Sequence, residues 1–167
     1  MKKISVIILV VISILCFTSC GSESVINNSE NVHVYSFSGS NDQLEISNGV
    51  IVLTDNEDVF SGGDLSVIHP ESFSDVVSYS ATFHISTNDE NIIIMSNSVV
   101  DETGESGAKI EINGDLGRIS GEDAHIDYVF EDGVNDTDNL WCEIKTTSSD
   151  GEMNTYVIDL NVTKITN

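Results

Sequence analysis

From Val32 onward, apolar and polar residues alternate with a period of two rather than 3.6. Val76–Ser86 shows it most clearly. Val77, Tyr79, Ala81, Phe83 and Ile85 fall on one side, and Ser78, Ser80, Thr82 and His84 on the other. The pattern returns over residues 155–163, where Tyr156, Ile158, Leu160 and Val162 share a face, and in a shorter run through Ile126, Tyr128 and Phe130. β-Branched and aromatic side chains fill these runs, as a pleated, half-buried surface prefers. No amphipathic helical stretch of ten residues or more interrupts them.

Turn residues separate the runs. Asn48-Gly49 stands between residues 44–47 and 50–53, and Asn-Gly supplies the two positive φ angles of a type I′ turn, so a tight hairpin is expected there. Asn113-Gly114 after residues 109–112 reads the same way, and Asp150-Gly151 joins residues 140–146 to the last long strand. Residues 92–95 are continuously apolar, the mark of a central strand or one buried on both faces. Pro70, after His69, marks a strand end or edge. Nine or ten strands at intervals of about 8–12 residues imply an all-β domain. A two-sheet β-sandwich, immunoglobulin-like in strand count, is the expected architecture, with a closed β-barrel as the alternative. The Cys-Trp-Cys signature of true immunoglobulin domains is missing.

The N-terminal end has a different pattern. Lys2 and Lys3 precede residues 4–17, an apolar run of 14 residues broken only by Ser5 and Ser13, and Thr18 and Ser19 lead to Cys20. A membrane-crossing helix needs roughly 20 apolar residues, whereas this length suits the middle of an export signal. An apolar residue, two small residues and a cysteine resemble the lipobox of bacterial lipoproteins. The resemblance covers about the first 21 residues. It implies cleavage before Cys20, a diacylglyceryl thioether on that sulfur, and attachment to the extracytoplasmic face of the cell membrane. Plain secretion with cleavage near Ser19 is the alternative. The expected division is a signal over 1–19, a flexible tether over 20–31 rich in Ser, Glu and Asn, and one domain over 32–167.

Charge narrows the partners. The whole chain carries net charge −22, and a chain beginning at Cys20 keeps four bases (Lys109, Arg118, Lys145 and Lys164) against 28 acids. Nucleic acid is a poor partner for such a surface, because phosphate backbones require basic side chains. Docking flat on anionic headgroups is equally disfavoured, so contact with the membrane is expected through the lipid anchor only. An envelope protein or glycan is the expected partner class. With Cys16 removed and Cys20 lipidated, Cys142 is left without a partner, and its alternation with Leu140 and Ile144 places it in the core.

Candidate chemistry is sparse. Glu131 to Asn139 is an acidic stretch in which Asp132, Asn135, Asp136 and Asp138 offer oxygens of the kind Ca²⁺ collects. Gly133 precedes these ligands rather than following them, so the EF-hand order fails, and a solvated loop is the competing reading. No cofactor is expected beyond that possible Ca²⁺. Residues 55–58 with Asp64 form a weaker acidic group. His33, His69, His84 and His125 form no close metal-binding pair, and neither G-x-S-x-G nor G-x-G-x-x-G occurs, so no catalytic constellation is visible and a non-catalytic binding module is expected. An envelope hydrolase using two facing carboxylates is the remaining alternative, with no pair among the 28 acids singled out by the sequence. If Cys142 points inward, Trp141 points outward beside Glu143 and Lys145, either covered by a loop or available, with Tyr35 or Tyr128, to stack on a sugar or anchor a partner.

Overall fold

The computed structural model describes residues 32–86, 90–100, 109–121 and 139–165. Among them are ten strands: β1 (His33–Ser40), β2 (Leu44–Leu53), β3 (Val59–Ser61), β4 (Asp64–Val67), β5 (Val76–Ser86), β6 (Asn91–Val100), β7 (Gly114–Asp115), β8 (Arg118–Ser120), β9 (Asn139–Ser148) and β10 (Met153–Lys164). One 3-10 turn, Pro70–Phe73, follows β4, so Pro70 does sit just beyond a strand end. The strands form one antiparallel sheet in the order β6-β5-β9-β10-β1-β2-β3-β8, with β4 on the other half of β2 and β7 beside β4.

The chain is all-β, as its alternation implies, and the sheet is nearly closed into a barrel. Its two halves face each other across a core, so the two-layer description holds, but the layers are continuous through the β1–β10 pairing. The halves meet at three phenylalanines. Phe37 stacks on Phe60 with ring centroids 5.3 Å apart, and Phe83 from the opposite half meets both edge-on, at 6.0 and 5.1 Å. Gly62 makes the approach possible. A Cβ there would lie 2.8 Å from Leu116 and 2.9 Å from both Met95 and Phe83. Tyr79, Ala81, Phe83 and Ile85 of β5 and Ile158 and Leu160 of β10 all point inward, as their period requires. Val77, expected on the same face, does not join them: the pairing with β9 is irregular between Val76 and Ser78, and Val76 enters the core in its place.

Asn48-Gly49 is not a hairpin turn. Both residues lie inside the continuous β2. Asn48 has φ +58°, and the pairing slips between Phe37↔Gly49 and Gly39↔Ile46, which gives β2 one residue more than β1. This is a β-bulge, and it bends the strand where its partner changes: Leu44–Ser47 pair with β4, and Val50–Val52 with β3. The Asn48 side chain donates to Asp64 Oδ2 at 2.9 Å. Gly49 lies under the Phe37 ring, which any Cβ would strike. The β1–β2 turn falls instead at Asn41, whose Oδ1 accepts from the Gln43 and Leu44 amides, both at 2.9 Å.

Two further expectations are corrected. Lys109–Ile112 form no strand, and Gly114, with φ +118°, begins the two-residue β7 rather than turning a hairpin. Residues 92–95 belong to β6, which ends the sheet order among the described residues, and the apolar run is not buried on both faces. Met95 points inward while Ile93 is 60% exposed. Asp150-Gly151 does turn between β9 and β10. Gly151 has φ +88°, and Asp150 Oδ1 accepts from the Ser148 hydroxyl at 2.6 Å and the Glu152 amide at 3.1 Å. Those two donors hold the Asp150 carboxyl below the usual carboxylate range. The expected signal and tether, 1–19 and 20–31, lie outside the described residues, as do Ile126, Tyr128 and Phe130.

Candidate functional site

Three central residues of β9 decide what its two faces do. Leu140, Cys142 and Ile144 point into the core, and Cys142 is fully buried. Burial pushes its thiol up to about 12, so the sulfur stays protonated and inert. Trp141 and Glu143 therefore face outward, half-buried, with Lys145 exposed beyond them. Lys145 Nζ pairs with Glu143 at 2.6 Å.

Antiparallel pairing sets Trp141 directly opposite His84 of β5 and Asp159 of β10. The imidazole stacks flat against the indole, ring centroids 3.9 Å apart and planes within 5° of parallel. The indole N–H donates to Ser86 Oγ at 3.0 Å, two residues further along β5. His84 thus lies on the outer face predicted for it but is only 9% exposed. Neither ring nitrogen has a hydrogen-bond partner among the described residues. Desolvation lowers its pKa from the ordinary 6.5, with Glu143 pulling the other way and Lys145 adding to the fall. The ring is therefore neutral at pH 7, and a buried polar group without a partner costs about 1–3 kcal/mol.

Along β5 and β6 the surface running away from this stack is uncharged, bordered on the β9 side by Glu143 and Lys145, which stand opposite Thr82 and Ser80. None of the eleven residues of β5 or the ten of β6 is Asp, Glu, Lys or Arg. Ser80 pairs with Ser98 and Thr82 with Ser96 on the outer face, and the Thr82 and Ser96 hydroxyls share a hydrogen bond of 3.0 Å. In a chain with 28 acids, this is a hydroxyl-lined strip two strands wide, ending at His84, Trp141 and the exposed Ile93.

The other candidates disperse. Tyr35 is in the core, with Lys164 Nζ 6.0 Å from its ring centroid, and takes no part beside Trp141. Of the second acidic group, Asp58 serves its own loop, being buried with its Oδ1 accepting from the Thr54 amide at 3.3 Å, while Asp64 holds Asn48. No group of three His, Cys, Asp or Glu side chains among the described residues is arranged to hold a metal. Cys20, Asp132, Asn135, Asp136, Asp138, His125 and Tyr128 lie outside the described residues. A shallow cavity of about 380 Å³ opens beside the 3-10 turn, lined by Val67, Phe73, Ile110 and Ile112 with Lys109 and Glu111 at its rim.

Sequence reasoning placed Trp141 outward but missed His84 and Ser86 as its neighbours. Outward alternation marked His84, but only the β5–β9 register brings it and Ser86 to Trp141. No family model, curated protein or solved structure matches this chain.

Proposed function

We propose that this chain is a non-catalytic binding module held at the extracytoplasmic face of the cell membrane by lipid on Cys20, and that it engages its partner through the outer face of β5 and β6. The uncharged strip carries the reading. A domain this acidic repels most macromolecules of like charge, and here two whole strands carry no charge at all. Interface centres are typically depleted of charge and anchored by aromatic residues, and Trp141 stands at the end of the strip. The unpartnered His84 ring adds support, because a hydrogen bond supplied by a partner would remove a desolvation penalty that the isolated domain bears.

Anchoring and binding are tested separately. Radiolabelled palmitate fed to the host should label the full-length chain, and Cys20→Ala should abolish the label. Detergent-extracted full-length chain should retain an envelope component that Ser80→Glu together with Ser98→Glu releases. Equal retention by the wild type and the double variant would refute this choice of face.

Calcium binding by the acidic stretch is a second reading, favoured by the ligand types at Asp132, Asn135, Asp136 and Asp138. A ligand bound only by the folded chain raises the melting temperature. A melt unchanged between calcium and chelator would remove these four residues as ligands.

A further inference from the structure

We infer that the cavity beside the 3-10 turn binds a small zwitterion with an apolar tail, the chemistry of a free apolar α-amino acid. The site shares no residue with the uncharged strip and does not depend on it. Its volume of about 380 Å³ falls at the small end of ligand pockets, which span about 300–1,000 Å³ and combine apolar walls with a few placed polar groups.

The walls are apolar and backed by the core. Phe73 is buried, and its ring packs on Tyr156 with centroids 5.3 Å apart. Ile112 is also buried, and Val67 and Ile110 are half-buried. Burial of an aliphatic tail against these side chains is the driving force for entry.

The mouth carries both signs of charge. Lys109, Glu111 and Asn113 are exposed and alternate with Ile110 and Ile112 along one segment. That segment is tied to two strands. The Ile110 amide donates to the Val76 carbonyl of β5 at 3.0 Å, and Asn113 Oδ1 accepts from the Val67 amide of β4 at 3.3 Å. Asn113 Nδ2 in turn donates to Glu111 Oε1 at 2.9 Å, which fixes one oxygen of the carboxylate and leaves the other to a ligand. Lys109 forms no ion pair among the described residues, with Glu111 or with any other acid.

Charge selects the occupant. A lone carboxylate would meet Lys109 but also Glu111 and the field of a chain at net charge −22. A lone amine would be drawn to acids all over the surface and would find an ammonium group at this mouth. A molecule whose ammonium and carboxylate share one carbon is neutral as a whole, so the field of the chain does not repel it. It can turn its carboxylate to Lys109 and its ammonium to Glu111 while its tail enters the cavity. Hydrogen bonds between charged partners are about twice as strong as neutral ones.

The test is a titration of the full-length chain, followed by nuclear magnetic resonance of isotope-labelled isoleucine methyl groups. The probes are L-leucine, glycine (no tail), isocaproate (leucine without its ammonium) and isoamylamine (leucine without its carboxylate). Leucine should shift the Ile110 and Ile112 methyl signals saturably and leave Ile93 unmoved. Each of the other probes should bind about tenfold more weakly or worse, equivalent to about 1.4 kcal/mol. Lys109→Met and Glu111→Gln should each raise the Kd for leucine about tenfold. The glutamine keeps the shape and still accepts from Asn113, so its effect reports the lost charge. Lys145→Met, at a lysine outside the site, should leave the Kd unchanged. Trp141 fluorescence equal to that of the wild type will show that each variant is folded. No shift of Ile110 and Ile112 at millimolar leucine, equal affinity for leucine and any one of the three analogues, or an equal effect of Lys145→Met and Lys109→Met would overturn the inference.

Discussion

The imidazole of His84 lies parallel to the indole of Trp141 at 3.9 Å, and both nitrogens of that imidazole lack hydrogen-bond partners among the described residues. The arrangement favours a neutral ring. A cation between an indole and a desolvated surface would need acceptors, and the nearby carboxylate, Glu143, is already paired with Lys145.

That relationship makes stability depend on pH. The folded-state pKa of His84 is depressed, with desolvation as the largest cause. Below pH 6.5 the unfolded chain therefore binds a proton that the folded chain refuses. The stabilisation is complete above pH 6.5 and is lost as pH falls toward the folded-state value. Urea unfolding followed by the single tryptophan should show a lower midpoint at pH 5.5 than at pH 7.5. His84→Phe, which keeps a stacked ring without a titrating nitrogen, should flatten that difference. A wild-type midpoint equal at both pH values would show that the ring gains its proton freely.

The triple-phenylalanine contact should be the most sensitive point of the core. Phe83 is fully buried and meets Phe37 and Phe60 from the opposite half of the sheet. Phe83→Ala leaves a cavity where the halves join and should cost about 3–5 kcal/mol. Gly62→Ala errs in the other direction, forcing a methyl group to within 2.9 Å of Leu116, Met95 and Phe83, and should cost about 1–3 kcal/mol through overpacking. Denaturant melts of the two variants measure both. A Gly62→Ala chain as stable as the wild type would mean that the Met95 side chain swings clear.

Much of this architecture is written in the alternation of single strands. β10 and the part of β5 from Tyr79 onward declare their inward residues, and Cys142 follows from Leu140 and Ile144. At the start of β5 the alternation points to Val77, but an irregularity beside it turns Val76 inward instead. Asn48-Gly49 misleads for a definite reason: a residue at positive φ serves a type I′ turn and a β-bulge equally well, and the flanking apolar residues look the same in both. Which one forms depends on β3 and β4, which compete for β2 from distant parts of the chain. Residues 92–95 mislead because an apolar run records hydrophobicity but not sheet order. The His84–Trp141 pair depends on inter-strand register, a relation between residues 57 positions apart that no local pattern contains.

Asn48 offers a direct check of the bulge. At φ +58° a β-branched side chain is strained by about 1–2 kcal/mol, whereas glycine is not. Asn48→Val should therefore lose about that much stability. Asn48→Gly should remain within about 0.5 kcal/mol of the wild type, because the bond it gives up, to Asp64, is exposed. A type I′ hairpin would not share the second requirement of this strand, at Gly49. Alanine there strikes the Phe37 ring, so Gly49→Ala should be the most damaging of the three in a urea melt.

Cys142 should report on unfolding of the whole domain. Its side chain is fully buried in the middle of β9, between two paired strands, and its thiol is pushed up to about 12. The thiolate is the reactive form, so a fully buried sulfur with that pKa reacts only when the sheet opens. In the full-length chain with Cys16→Ser and Cys20→Ser, an aromatic disulfide reagent should leave the native thiol unmodified at pH 8 and titrate one thiol in urea. At intermediate urea the rate should follow the fraction unfolded reported by Trp141 fluorescence, since the opening that frees the sulfur also separates β9 from β5 and dismantles the His84 stack. Fast modification of the native chain, with fluorescence unchanged, would require a local opening of β9 that leaves the stack intact, which the shared β5–β9 register forbids.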